Sequence, residues 1–290
     1  MKYAIIGAAG QLGRDISPLL KGDVIPLGRD DADLTDPDLV RTTLTALRPD
    51  FVINCAAYNF VDKAESEPPA AMAVNGFGVR NLALVCRDLD CTLVHFSTDY
   101  VFGLDTERRT PFSVSDAPGP VSVYGLSKLA GEYLVRANCP RHFVIRTCGL
   151  YGVWGSGGKG GNFVETMLRV AAAGKPLRVV DDQVCTPSFT VDVATATAAL
   201  IETGRHGLYH VTNDGSATWH GFAAAILEMA GVKADLSPIT SAQFGAPARR
   251  PAYSVLGNEA LHNAGIPCPR HWKDALAVYL DERKRKFGRT

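Results

Sequence analysis

Three stretches of this 290-residue chain combine residue types and spacing that could do chemistry. In Tyr124-Gly125-Leu126-Ser127-Lys128 a phenol and an ammonium lie four residues apart, so on a helix they share one face. A free phenol has a pKa near ~10, too high for easy proton exchange at neutral pH, and a nearby cation stabilises the phenolate and lowers that value. Tyr124 is therefore a candidate proton donor with its acidity tuned by Lys128. Ser97-Thr98-Asp99-Tyr100-Val101-Phe102 closes an apolar run, where a hydroxyl can face a ligand and hydrogen-bond a carbonyl oxygen. The plainer alternative is a strand-end turn in which Ser97 or Thr98 caps the backbone.

The third stretch, Gly7-Ala8-Ala9-Gly10-Gln11-Leu12-Gly13, follows the first apolar run and opens a helical pattern. Glycines there permit a tight turn and the close approach of a pyrophosphate, and the helix N-terminus offers unpaired N–H groups. The loop lacks the G-K-[ST] ending of a P-loop, which disfavours ATP hydrolysis. Together the three stretches describe a hydride-transfer site. Hydride passes from a nicotinamide to a carbonyl carbon, Tyr124 protonates the developing alkoxide, Lys128 also holds the nicotinamide ribose, and Thr98 orients the carbonyl. Where NAD sites end the second strand with an acid, this chain reads Leu27-Gly28-Arg29, and a guanidinium suits a 2′-phosphate. The reading leans to NADPH and leaves NADH open, since Asp30 or Asp31 could serve a ribose.

Such a site needs strands that bring their carboxyl ends together. Apolar runs at Tyr3–Ile6, Val24–Leu27, Phe51–Cys55, Thr92–Phe96 and Phe143–Ile145 alternate with helical patterns at 11–20, 37–47, 69–89 and 121–137. Near-continuous apolar strands between helices predict a doubly wound, Rossmann-type α/β fold with a parallel sheet covered on both faces. Thr35 or Asp36 is the expected cap of the second helix. After Gly149 the pattern loosens, five glycines fall between 155 and 161, and strand and helix signals return at 177–180, 191–202 and 207–211. The expected organisation is a nucleotide-binding domain over 1–150, with a return segment near 188–212, and a smaller substrate-binding lobe over 151–290. The charged run Arg283 to Lys286 reads as a solvated helix end.

Composition narrows the class. Thirty basic and thirty acidic residues give zero formal net charge, which argues against a coat for nucleic acid or anionic membrane. No apolar run approaches the ~20 residues that span a bilayer, and no secretory leader is evident. The seven cysteines are odd in number and form no C-x-x-C pair. They read as reduced core residues and favour a cytoplasmic enzyme. His206 and His210 lack a helix face for a metal, His95 reads as a core histidine, and no H-E-x-x-H or G-x-S-x-G pattern occurs.

The glycine loop and the Tyr–Lys pair resemble the extended short-chain dehydrogenase/reductases. More specific stretches run in order through most of the chain. They are Asn54 to Tyr58, Val61-Asp62-Lys63-Ala64-Glu65, Ser97 to Phe102, Gly131-Glu132, Gly161-Asn162-Phe163, Asp182-Gln183, Thr186-Pro187, Trp219-His220, and Arg249-Arg250-Pro251 with Ser254 and Leu256. This set resembles the dTDP-4-dehydrorhamnose reductase family. The resemblance implies reduction of the 4-keto sugar of dTDP-4-dehydro-L-rhamnose. It implies cofactor contacts by Gly7, Gly10, Gln11, Leu12, Gly13, Arg29, Asp33, Leu34, Ala56, Ala57, Tyr58, Tyr124 and Lys128. It implies substrate contacts by Asn59, Val61, Thr98, Asp99, Asn162, Arg249 and Arg250, and it allows a homodimer. Asn162 could instead cap the helix that starts at Phe163, and one of the two arginines is expected in a structural ion pair.

The chain departs from the family in places. Cys148-Gly149 puts glycine where a sugar-contacting tryptophan is usual, and Trp154 is a candidate substitute. Val114 stands where an acid is usual. Asp15 could stand for one glutamate of an intersubunit magnesium site, but Val191 replaces another, so no metal is expected. Alternatives to the reductase are an enzyme for another nucleotide-linked 4-keto sugar and a non-catalytic NADP(H)-binding regulatory subunit. Intact Thr98, Tyr124 and Lys128 argue against the latter. A dehydratase ranks low because no glutamate follows Asp99.

Overall fold

The computed structural model describes residues 1–155 and 161–288. The loop reading of 155–161 therefore falls mostly outside the described residues. In the first half, strands β1 (Lys2–Ile6), β2 (Asp23–Leu27), β3 (Phe51–Asn54), β4 (Thr92–Thr98) and β5 (His142–Thr147) alternate with helices. The helices are α1 (Gln11–Ile16), α2 (Pro37–Leu47), α3 (Val61–Ser66), α4 (Pro68–Met72), α5 (Val79–Asp88) and α6 (Val123–Asn138). Then come β6 (Leu150–Tyr151), α7 (Phe163–Ala172), β7 (Leu177–Val180), β8 (Val184–Cys185), β9 (Ser188–Phe189), α8 (Thr190–Glu202) and β10 (Gly207–His210). The chain continues through β11 (Ala217–Thr218), α9 (Trp219–Met229), β12 (Leu236–Ile239), α10 (Ser241–Phe244), α11 (Glu259–Asn263) and α12 (Trp272–Phe287).

Six strands form a parallel sheet in the order β10-β5-β4-β3-β1-β2. This is the doubly wound fold expected from the sequence. Both faces are covered, so every residue of β4 is buried. One core layer joins Tyr3, Ile5, Ile53 and Val94 to α8, and it also takes in Leu261, Ala264 and Ile266. The opposite layer joins Ala4, Ile6, Val52 and Leu93 to α2, α5 and α6. A third cluster gathers α7, α9 and α12 around Tyr151, Phe189, Phe222 and Tyr279. The strand order reverses between β1 and β3, and this is where open α/β sheets hold ligands.

Several elements differ from the periodicity. The expected helix 69–89 is α4, a π-helical turn over Ala73–Gly78, and α5. Within the widened turn, the Asn75 side chain donates to Tyr58 O and to Ser127 Oγ and accepts from Tyr58 N. Tertiary hydrogen bonds there replace the regular ladder. Helix α1 stops at Ile16 and continues as a 3₁₀ turn with Pro18 near its start. Helix α3 is too short for a periodic signal. Of the two expected caps, Asp36 caps α2 by accepting from Asp38 N and Leu39 N. Arg283 is no solvated end residue, since it is buried and pairs with Glu165 at 2.6 Å.

Candidate active site

The glycine loop sits at the switch point because its backbone allows nothing larger. Gly7 adopts φ +78°, and a Cβ there would lie 2.8 Å from Ala56 N, so the β1 and β3 connections touch. Asn54 braces the second connection, accepting from Ala56 N at 3.1 Å and bonding His95 Nδ1 at 3.1 Å. His95 is fully buried. Between the connections lies a crevice of about 470 Å³ lined by Gly7, Arg29, Asp33, Leu34, Ala56, Ala57 and Tyr58. Seven of the expected cofactor residues thus meet in one place. Gly10 begins α1 and bonds Gly7 O. The Leu12 side chain is committed to the core, and Gly13 packs against Gly7 O, where a Cβ would lie at 2.6 Å. Neither can offer a side chain to a ligand.

Arg29 is exposed and donates Nε to Asp33 Oδ2 at 2.8 Å. That bond, with donation from Thr35 N, holds the Asp33 carboxyl down at about 2. Asp31 accepts from Gly28 N and so closes the turn. The rim of this crevice is therefore a guanidinium flanked by engaged carboxylates.

A second cavity of about 490 Å³ begins at Gln11 and Asn59, neighbours of the first crevice along both connections. Its wall includes Val61, Thr98, Asp99, Tyr100, Tyr124, Cys148, Gly149, Asn162, Phe163 and Trp219. Three features place Tyr124 here. Ser122 caps α6 through Gly125 N, and Glu65 accepts from Val123 N at 2.9 Å. Gly125 lets the first turn press on the Tyr100 carbonyl, where a Cβ would have no room. Tyr124 and Thr98 are hydrogen-bond neighbours. Burial pushes the Tyr124 phenol up to about 12, so at neutral pH it carries its proton. Lys128 follows one turn later on α6, 3% exposed and lining neither cavity, and donates to Phe96 O at 2.6 Å. Burial pulls its ammonium down to about 8. The expected lowering of the Tyr124 pKa by Lys128 is not what dominates here: burial does, and the Thr98 hydrogen bond opposes it.

Thr98 combines both readings of its sequence position. Its Oγ1 accepts from Tyr100 N at 3.2 Å, a backbone cap, and its hydroxyl donates to Asp99 Oδ1 at 3.0 Å while facing the cavity. Ser97 also lines the cavity, but its hydroxyl donates to Glu132 Oε1 at 2.5 Å. Asn162 lines the cavity, but its side chain caps α7 through Glu165 N and donates to Gly152 O at 2.8 Å. Arg250 pairs with Asp62 at 3.0 Å, as expected for one of the two arginines, and Arg249 is exposed. Neither arginine lines either cavity. Trp154 does not replace the missing aromatic. Its indole donates to Asp15 at 2.9 Å, and its ring lies between Arg14 and Lys286.

Of three further cavity residues, sequence reasoning gave Gln11 to the cofactor and weighed Trp219 as a stacking residue or a helix start, and it missed Thr147. Gln11 Oε1 and Thr147 Oγ1 are buried without a partner, and both residues line the cavity. Orphaned polar atoms on a cavity wall fit a polar ligand. Thr147 carries no motif of its own, so nothing in the sequence marks it. Trp219 opens α9, packs on Phe163 at 4.8 Å and faces the cavity near Gly149. A larger cavity of about 720 Å³ around Asp214, Tyr253, Glu259 and His262 holds none of the candidate catalytic groups. Among the described residues no group of three or more side chains could ligate a metal ion.

A phosphate-sized cradle at Gly7, a guanidinium rim and a Tyr–Thr wall fit a nicotinamide dinucleotide with a carbonyl substrate. Fold and site define a nicotinamide-dependent oxidoreductase. The chain belongs to the family of the RmlD substrate binding domain, whose model matches residues 1–285. It is 41% identical to a dTDP-4-dehydrorhamnose reductase of Streptomyces griseus over 99% of this chain and 96% of that protein. It is 39% identical to a dTDP-4-keto-6-deoxy-D-glucose reductase of Streptomyces niveus over 95% of each. Among solved structures, the dTDP-4-dehydrorhamnose reductase of Bacillus anthracis in complex with NADP superposes with a TM-score of 0.91. That pair is 35% identical, covering 97% of this chain and 99% of the other.

Proposed function

We propose that this chain reduces the 4-keto group of dTDP-4-dehydro-L-rhamnose to give dTDP-L-rhamnose, with NADPH as the hydride source. The observation that carries the reading is the shared wall of Tyr124 and Thr98 beside the glycine-lined crevice. Bound NADPH would supply hydride to the sugar carbonyl carbon. Tyr124, protonated at neutral pH, gives its proton to the developing alkoxide oxygen. Thr98 orients the carbonyl, and Lys128 holds a positive charge beneath the site and reaches the ribose. Gly7, Gly10 and the N–H groups of Gln11, Leu12 and Gly13 hold the diphosphate, and Arg29 the 2′-phosphate. Asp33, Leu34, Ala56, Ala57 and Tyr58 enclose the adenosine half. Asn59, Val61, Asp99 and Asn162 face the sugar nucleotide, and Arg249 and Arg250 balance its diphosphate from the rim.

On this reading residues 1–150, with the return segment 188–212, bind the cofactor, and 151–290 mainly build the sugar side. A cytoplasmic place is supported by seven free cysteines, five of them buried. Among the described residues no helix is long and apolar enough to cross a membrane. A homodimer is supported by Phe77, Leu126 and Tyr133, exposed on neighbouring helical segments.

The test follows nicotinamide absorbance with dTDP-4-dehydro-L-rhamnose generated in place, comparing NADPH with NADH. Fast oxidation of NADPH with formation of dTDP-L-rhamnose is expected. No oxidation by protein shown to bind NADPH overturns the assignment. A second reading, reduction of dTDP-4-keto-6-deoxy-D-glucose, is favoured by the Streptomyces niveus relative and by Gly149 in the sugar wall. The same assay with that sugar alone decides between them.

A further inference from the structure

We infer that Ser254 is a positioning residue for this reduction, acting through Asp99 on the hydroxyl of Thr98; the inference rests on the reductase reading above. Ser254 is 3% exposed, and its hydroxyl donates to Asp99 Oδ2 at 2.6 Å. The other carboxylate oxygen accepts from Thr98 at 3.0 Å, and the Cys148 thiol is a third side-chain donor. Ser254 lines neither cavity, and its side chain reaches the site through Asp99. Its backbone is anchored separately, through Ser254 N to Val184 O at 2.9 Å.

The consequence is an ordered hydroxyl. Thr98 donates its proton to Asp99 and accepts from Tyr100 N, with the Tyr124 phenol a hydrogen-bond neighbour. When Tyr124 passes its proton to the alkoxide, the phenolate becomes a second acceptor for the Thr98 O–H. The O–H turns from Asp99 toward the substrate oxygen and the neighbouring phenolate, its own bond intact. Asp99 then loses one donor while buried, and Ser254 and Cys148 are the side-chain donors that remain, with its own backbone N–H. Without Ser254 the carboxylate would hold Thr98 more tightly, or take up a proton and donate to Thr98 itself. Either way the hydroxyl is misdirected. The titratable groups facing Asp99 are Tyr100, Tyr124 and Cys148, with Arg250 on the far side of Tyr100. Losing a donor raises the pH at which the carboxyl protonates, so the acid limb of activity moves to higher pH.

The experiment measures kcat, KM, NADPH affinity and melting temperature for the full chain and for S254A, S254C and S254T. For S254A, kcat is expected to fall about tenfold, the weight of one hydrogen bond to a charged group, with KM and NADPH affinity held within about twofold. The acid limb shifts upward, S254T recovers most of the rate, and S254C, which keeps volume and a weak donor, falls between. If S254A does not fold, the order of S254T over S254C carries the same test. A wild-type rate in S254A, parallel loss of kcat and cofactor affinity, or an S254T as slow as S254A would overturn the inference alone. A wild-type protein inert toward both sugars overturns the reductase reading itself.

Discussion

Two buried cations flank β4, and their surroundings differ. Arg146, 2% exposed on β5, meets Glu132 of α6 through two bonds, Nε to Oε1 at 2.9 Å and Nη2 to Oε2 at 2.7 Å. Ser97 donates to the same carboxylate, and the guanidinium lies over Phe102 and near His210. Lys128, one turn before Glu132 on α6, has a single carbonyl, Phe96 O, at its ammonium. Glu132 favours the Lys128 charge from a distance, but its oxygens serve Arg146 and Ser97. The fully paired cation joins α6 to the sheet. The other has one carbonyl acceptor among the described residues, and burial pulls its ammonium down to about 8. Buried ionisable groups with shifted titration are a mark of functional sites.

The largest effect that bears on this contrast is at the group Lys128 serves. Tyr124→Phe removes the proton donor, and kcat is expected to fall by roughly 10²–10⁴-fold with NADPH binding kept. Wild-type turnover in that variant removes Tyr124 from the mechanism. Next, Glu132→Ala leaves Arg146 buried and unpaired and is expected to destabilise the fold by about 3–5 kcal/mol in urea unfolding. A loss below about 1 kcal/mol, the weight of an ordinary surface pair, would show that the two cations are not so different.

Lys128→Met should do the opposite. Folding lowers the Lys128 pKa from its ordinary 10.5 to about 8, so below pH 8 its charge opposes folding, and this opposition fades as pH rises from about 8 to 10.5. At pH 7 the Met variant is expected to melt a few degrees higher, by roughly 2–4 °C per kcal/mol recovered, while losing activity. In the wild type, activity that needs the ammonium falls as pH rises through about 8. A profile flat to pH 10 breaks the link between under-pairing and function. The smallest effect is at the rim. Arg29→Ser removes an exposed cation and should weaken NADPH by about tenfold while leaving NADH affinity unchanged, measured by fluorescence titration. Equal weakening of both cofactors would move the 2′-phosphate site elsewhere.

Much of the fold was legible because its signals are local. Short apolar runs, alternating helices and the glycine turn sit in sequence order, and the sheet follows that order on either side of β1. Lys128 was legible through its spacing from Tyr124, since helix geometry alone aligns them. The Arg146–Glu132 pair was not, because 14 residues and a change from helix to strand separate its members. Asp62 with Arg250 spans 188 residues, and Ser254 with Asp99 spans 155. In the VDKAE stretch, Asp62 holds the arginine segment and Glu65 caps α6. The stretch is a brace between elements, and only their packing shows this. Asn162 could be a cap or a ligand contact by type, and the structure gives its side chain to the cap. Trp154 looked available to the sugar wall from its place in the chain, yet Asp15 and two cations hold it elsewhere.

The sequence by itself determined the parallel α/β architecture, the glycine cradle and the Tyr–Lys helix face, because each depends on backbone geometry over a few neighbouring residues. Only the tertiary structure decided which polar groups are satisfied. It paired Arg146 and, among the described residues, gave Lys128 one carbonyl, bonded Ser97 to Glu132 and Thr98 to Asp99, and set Trp219 rather than Trp154 on the cavity wall. Those outcomes depend on which distant groups share a dry interior, where an unmet hydrogen bond or charge weighs far more than it does in water.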